Sequence, residues 1–175
     1  MIDASIAQSA GGRDATHSVA KSCRDFLQAV YDICHKAVMS TEIQTEWNNH
    51  QSNYARSWRY WMVSRKKLEI LNVIEDSALR EKLIQASETP LRSEAVLKDA
   101  HLVEASLAAD LTICSRDEEA RALLSYASSQ VIELRSIVWV NPTQEENKSF
   151  NGSETVLSMN LIGDWVVDLR DSAHW

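Results

Sequence analysis

Four carboxylates in this 175-residue chain stand where they could act together: Asp3, Glu46, Asp99 and Asp117. Asp99 lies at the mouth of a largely apolar stretch, 98–110, that reads as a helix, and Asp117 follows 111–115, which reads as a short buried strand. Helical residues from Asp99 onward carry the chain away by roughly 16 Å at about 1.5 Å each. The strand returns it by roughly 16 Å at about 3.3 Å per residue, so the two aspartates are expected at one edge of the domain. Asp3 and Glu46 each follow closely on another strand end and are expected at the same edge. Gathering such charges is costly: a like pair 4 Å apart repels by about 1 kcal/mol in water and about 4 kcal/mol at an effective dielectric near 20. A hard divalent cation, Mg²⁺ or Mn²⁺, takes oxygen ligands, keeps several waters and offsets the repulsion. The chemistry that such a site implies is metal-dependent hydrolysis of a phosphodiester. Spacing alone leaves a plainer reading open, with Asp99 a helix N-terminal charge and Asp117 a capping-region acid.

Other chemistries find less support. The only adjacent glycines are Gly11 and Gly12, so there is no phosphate-cradling glycine loop, and no motif assembles a Ser/His/Asp triad. His101 and Glu104 share the helix that Asp99 opens, but a lone histidine beside an apolar face is read as packed or hydrogen-bonded, outside the site.

The elements that must position the acids follow from periodicity. Residues 1–3 read as the end of a strand, with only two residues before Asp3 where about five or six are usual. Residues 16–35 form the clearest amphipathic helix, and 37–39 a short strand. Thr41 with Gln44 has the spacing of a capping box and predicts a helix start that carries Glu42 and Glu46. A second long helix is predicted over 54–71, another over 77–87, and a helix start at Ser115 leading to helix 118–129. Residues 136–140 read as a buried strand ended by Asn141-Pro142, and the polar run 144–152 reads as a loop or tether. Strands alternating with helices imply an α/β domain with a largely parallel sheet, whose sites lie outside the carboxyl ends of the strands.

Composition bounds the function. With 45% hydrophobic residues, 25% charged, four glycines and two prolines, the chain reads as one helix-rich globular domain. A net charge of −7 argues against a sequence-independent nucleic-acid coat, which needs a broad basic field, but not against an enzyme that meets phosphates through metal. Cys23, Cys34 and Cys114 lack CxxC spacing and are expected to be buried free thiols in a reducing cytoplasm. No apolar run reaches 18 residues, so neither a membrane span nor a leader is expected.

Four segments, IDASI at 2–6, MSTEIQTEW at 39–47, LKDAHLVEASLAAD at 97–110 and ICSRDEE at 113–119, resemble in order and spacing those of the PIN-domain nucleases. That family includes the toxin half of many prokaryotic toxin and antitoxin pairs. SIVWVNP at 136–142 is similar to its closing strand. The resemblance covers nearly all of 1–142 and implies a three-layer PIN-like fold, a short, mostly parallel central sheet flanked by helices. Residues 143–175 are then an extension that docks on the domain or on a partner. Asp3 resembles the first metal-binding aspartate, Glu46 rather than Glu42 the helix glutamate, Asp99 the third acid and Asp117 the fourth. Ser5 and Ser115 fall at positions that support the site, and Glu119 where a further acid often appears. The activity implied is Mg²⁺- or Mn²⁺-dependent cleavage of RNA by a cytoplasmic homodimer, as a toxin held by an antitoxin protein.

The predicted helix 54–71 is both aromatic and basic, with a net +4 over 54–70. Arg56, Arg59 and Lys66 are candidate RNA phosphate contacts, with Trp58 or Trp61 stacking on bases. The plainer reading makes its aromatics core or dimer interface and its charges a solvated face. A binding or regulatory protein on the same fold, acting through that helix or through the acidic tail, is the alternative to an enzyme. The tail from Asn141 onward carries six acids against two bases.

Overall fold

Helices end and strands begin in this chain where a carbonyl or a side chain can satisfy the backbone groups left over. The computed structural model describes residues 1–33, 35–144 and, as backbone, the strand at 166–168. Two helices and a strand open it: α1 (Ala4–Ser9), α2 (Ser18–Asp32) and β1 (Ala37–Ser40). There follow α3 (Thr41–His50), α4 (Asn53–Ser64), β2 (Leu68–Leu71), α5 (Ser77–Gln85), α6 (Pro90–Lys98), α7 (Ala100–Leu107) and β3 (Thr112–Cys114). Last come α8 (Glu118–Ala127), a 3₁₀ turn (Ile132–Ser136), β4 (Val138–Val140) and β5 (Val166–Asp168).

The architecture is mixed α/β, and among the described residues the short strands form two small sheets rather than the single sheet expected from the sequence. In one, β1 and β2 run parallel, Ala37 opposite Leu68. In the other, β3 and β4 run parallel, Ile113 opposite Trp139, and β5 lies antiparallel on the far side of β4. The abbreviated first strand contributes one parallel bridge, Ile2 to Cys114. The Ile2 carbonyl accepts from the Trp47 indole N–H at 3.0 Å, a side chain where a neighbouring strand's amide would otherwise donate. Trp47, Trp58, Trp139 and Phe26 are fully buried at the centre of the core. The rings of Trp47 and Trp58 lie 5.7 Å apart, and the Trp58 N–H donates to the Leu27 carbonyl at 2.6 Å. Trp58 is thus core, which corrects its candidacy as a base-stacking residue.

Several boundaries differ from expectation for identifiable reasons. The predicted helix 54–71 stops at Ser64 because Lys66 takes a left-handed backbone, φ 55°. Its amide donates to Val63 O at 2.9 Å and that of Lys67 to Met62 O at 2.8 Å. This is the double closure of a Schellman turn, achieved without the usual glycine, and 68–71 is therefore strand. Ser40, not Thr41, caps α3, its hydroxyl accepting from the Ile43 amide at 3.2 Å. Residues 91–97, unassigned from the sequence, lie in α6 (Pro90–Lys98), with Pro90 in its first turn and Thr89 as the cap. The helix expected over 98–110 is confined to α7, and Leu111 turns the chain into β3 with φ 60°. Cys23 and Cys114 are buried free thiols, each pushed up to about 11 by desolvation; Cys34 lies outside the described residues, as does most of the 143–175 extension. Among the described residues no helix is long and apolar enough to cross a membrane.

Candidate functional site

Asp3 owes its position to the single bridge of the first strand. Its amide donates to Cys114 O at 2.9 Å, and the Cys114 amide donates to Met1 O at 2.8 Å, so Asp3 is pinned beside the carboxyl end of β3. It is buried, and it precedes α1 without capping it. Its Oδ2 instead accepts from two hydroxyls, Ser5 Oγ and, at 2.6 Å, Ser115 Oγ. Those hydroxyls also accept from the chain that follows β3: Ser5 Oγ from the Arg116 amide and Ser115 Oγ from the Asp117 amide, each at 3.0 Å. Two serines thereby tie the first acid to the loop that carries the fourth, and they leave Asp3 Oδ1 outside the lock.

Asp117, not Ser115, is the cap of α8. Its Oδ1 accepts from the Ala120 amide at 2.9 Å, and its other oxygen is not used in the cap. Asp99 sits at the junction of α6 and α7 and makes no side-chain capping bond. Its carboxyl is pushed up to about 6, first by burial and then by the charges of Asp117 and Asp3, with Lys98 and His101 pulling the other way. Asp99 is thus within electrostatic reach of Asp117 and Asp3, which come from two other segments.

Glu46 reaches its place from the second turn of α3 and faces His101. The His101 Nε2 is 3.5 Å from Glu46 Oε1, an ion-pair distance too long for a good hydrogen bond. Glu46 is held below the usual carboxylate range, chiefly by His101. His101 itself is raised: burial pulls it down, but Glu46, the Lys98 carbonyl and Asp99 together outweigh that. As its place on an apolar helix implied, His101 is packed, with Nδ1 3.0 Å from the Lys98 carbonyl, and its Nε2 side lies against Glu46.

The remaining candidates are more scattered. Glu119 is exposed in the first turn of α8. Arg56 and Lys66 are exposed, while Arg59 is partly buried with a buried Nη1 that finds no hydrogen-bond partner. Burial and then the nearby Arg56 lower the Arg59 value.

Among the described residues no three His, Cys, Asp or Glu side chains are drawn close enough to enclose a metal ion. By donor type alone, carboxylate oxygens are what a hard divalent cation takes. The acids offer carboxylate oxygens only, two of them oriented by hydrogen bonds and one made costly by its like-charged neighbours. A comparison with protein-family models, curated proteins and solved structures finds no match for this chain in any of the three.

Proposed function

We propose that this chain is a PIN-like endoribonuclease, a three-layer α/β domain that hydrolyses RNA phosphodiester bonds with Mg²⁺ or Mn²⁺ held by Asp3, Glu46, Asp99 and Asp117. The observation that carries the reading is the serine lock: Ser115 Oγ donates to Asp3 at 2.6 Å and accepts from the Asp117 amide at 3.0 Å. It fixes two acids from distant parts of the sequence at one strand end, with the charge of Asp99 felt there as well. Bound divalent metal would supply a hydroxide nucleophile and neutralise charge on the phosphodiester. The chain's own contribution is placement. Ser5 and Ser115 hold Asp3 in one rotamer, the α8 cap holds Asp117, and Asp99 meets the site from the α6–α7 junction. Arg56 and Lys66 are exposed cations available for RNA phosphates.

In this reading the protein works in the cytoplasm, as a homodimer, as the toxin of a pair whose antitoxin protein restrains it. Purified protein should cleave single-stranded RNA in Mg²⁺ or Mn²⁺ and not in chelator, and Asp3→Asn and Asp99→Asn should be inactive. Equal cleavage in chelator, or full activity of the Asp99→Asn protein, would sink the proposal.

A second reading, a non-catalytic binding or regulatory protein, is favoured by one observation. Apolar side chains on and after α4 lie open to solvent: Tyr60 is 72% exposed, Val63 56% and Ile74 82%. Titration with Mn²⁺ decides between the two, since a protein with no metal site gains neither bound ion nor thermal stability.

A further inference from the structure

Arg116 lies between Ser115, which holds Asp3, and Asp117, yet among the described residues its guanidinium pairs with no carboxylate. Its backbone is fixed at the acid edge, where the amide donates to Ser5 Oγ at 3.0 Å. Its side chain then runs along α1, and Nη1 donates to Ser9 Oγ. Ser5 and Ser9 stand four residues apart on one face of that helix, so the guanidinium lies about 6 Å along it from the serine lock. That face is polar and open, with Ser5 and Ser9 partly exposed and Gln8 exposed. The Arg116 Nε is buried and has no hydrogen-bond partner. Other half-buried arginines of the chain are fully matched: Arg24 donates to the Gly12 and Ala15 carbonyls, Arg80 pairs with Glu104 and Arg121 with Glu118. A half-buried guanidinium left with one neutral hydroxyl is a cation short of its anion.

We propose that Arg116 binds the RNA phosphate next to the scissile one. The inference rests on the metal-dependent nuclease reading and adds to it a substrate contact. A guanidinium one helical turn from Asp3 stands off the bond being cut and beside the strand that leads to it. It can fork two N–H groups onto phosphate oxygens, and Ser9 Oγ, which accepts from Nη1, keeps its own hydrogen to donate. Arg56 and Lys66 lie on α4 and the turn after it, whereas the Arg116 backbone is bound to the same serine that holds Asp3. In a chain of net charge −7, a cation so placed draws the strand toward acids that would otherwise repel it.

Binding of a fluorescein-labelled single-stranded RNA, read by anisotropy in chelator across a KCl series, tests this in the parent, Arg116→Ala and Arg116→Lys. The alanine protein should bind about 10-fold more weakly. Its plot of log affinity against log salt should be shallower by about 0.7, the loss of one phosphate contact. Lysine, which keeps the charge, should restore the slope. In Mn²⁺ the KM of the alanine protein for RNA should rise by a similar factor, with kcat nearly unchanged. Equal slopes in the parent and alanine proteins, or a lysine protein with the slope of alanine, would overturn the proposal. A second measurement needs no variant to fold. A single neutral methylphosphonate, walked through the linkages that flank the cleavage point, should weaken binding by the parent about 10-fold at one adjacent position. At that position it should leave Arg116→Ala unaffected; a parent indifferent at every flanking linkage overturns the contact. A parent that shows the slope difference yet cleaves no RNA in Mn²⁺ refutes the nuclease reading, and the phosphate contact stands.

Discussion

Replacing Asp99 by asparagine should stabilise the metal-free protein while it abolishes cleavage. Raising the Asp99 carboxyl from 3.8 to about 6 corresponds to about 3 kcal/mol against its ionised form. Asp99 is only partly buried, and solvent screening reduces this to about 1–2 kcal/mol. The folded protein holds a proton there that the unfolded chain has already released, so this group's contribution to stability falls as pH rises from 3.8 towards 6 and is fully adverse at pH 7.5. Asparagine keeps the shape and removes the charge, and no capping bond is lost because the Asp99 side chain makes none. Urea unfolding in chelator should therefore show Asp99→Asn more stable than the parent by about 1–2 kcal/mol at pH 7.5, with no gain near pH 3.5, where both side chains are neutral. Added Mn²⁺ should narrow or reverse the difference, because it stabilises the parent more. A substitution that gains nothing at pH 7.5, or gains equally at both pH values, would refute the crowding of Asp99 by burial and by Asp117 and Asp3.

Other tests bear on the scaffold. Glu104, 3% exposed, accepts from Arg80 Nε at 2.8 Å, Arg80 Nη2 at 2.9 Å and the Asp76 amide at 3.0 Å. Arg80→Met should thus cost about 3–5 kcal/mol in urea unfolding by stranding a buried charge, and adding Glu104→Leu should recover most of it; a loss under about 1 kcal/mol for the single change would contradict the pairing. Lys66→Gly should raise stability by about 1 kcal/mol, since Lys66 is exposed with φ 55°; a lower unfolding midpoint would argue against the left-handed turn. Ser115→Ala, which leaves the Asp117 amide and Asp3 Oδ2 each short of a partner, should lower stability by about 1–3 kcal/mol and weaken Mn²⁺ binding, read by unfolding and titration. Cys23 and Cys114 should stay unlabelled by iodoacetamide at pH 8 in the native protein, as peptide mass mapping would show, because their thiols are raised to about 11.

What could be read from the sequence was what local patterns encode. The three-and-four spacing of Val19, Cys23, Phe26, Leu27 and Val30 specified α2, and the apolar runs at 37–39 and 136–140 specified β1 and β4 to within a residue or two. Periodicity failed where a non-glycine residue took the left-handed turn. Lys66 and Leu111 carry no local signal for it, so α4 was extended through β2 and α7 through the turn that follows it. The division into two sheets was illegible for a different reason. At the end of the abbreviated first strand the Ile2 carbonyl is taken by Trp47, a partnership across 45 residues that no window of sequence contains. Glu104 was hidden in the same way, as an acid in an apolar helix whose partner, Arg80, lies 24 residues earlier.

The acids pose the sharpest case, because the sequence offered cap or ligand as alternatives and the structure distributes the two roles over different atoms. Asp117 spends Oδ1 on the Ala120 amide, which is a cap, and that bond also fixes the direction of its second oxygen. Asp3 stands in the capping position of α1 yet gives Oδ2 to Ser5 and Ser115, and the helix start is left without a side-chain cap. A residue chosen only to cap would not forgo its bond in favour of two serines, one of them 112 positions away. Asp99 likewise stands at a helix start, makes no cap and is partly buried, with the charges of Asp117 and Asp3 adding to the burial that raises its carboxyl. Two of the four acids thus decline the stabilising role that their positions offer. Residues that depart from a local rule are where function is to be sought, and it is this departure, more than the count of acids, that motivates the proposal of a cation at Asp3 and Asp99.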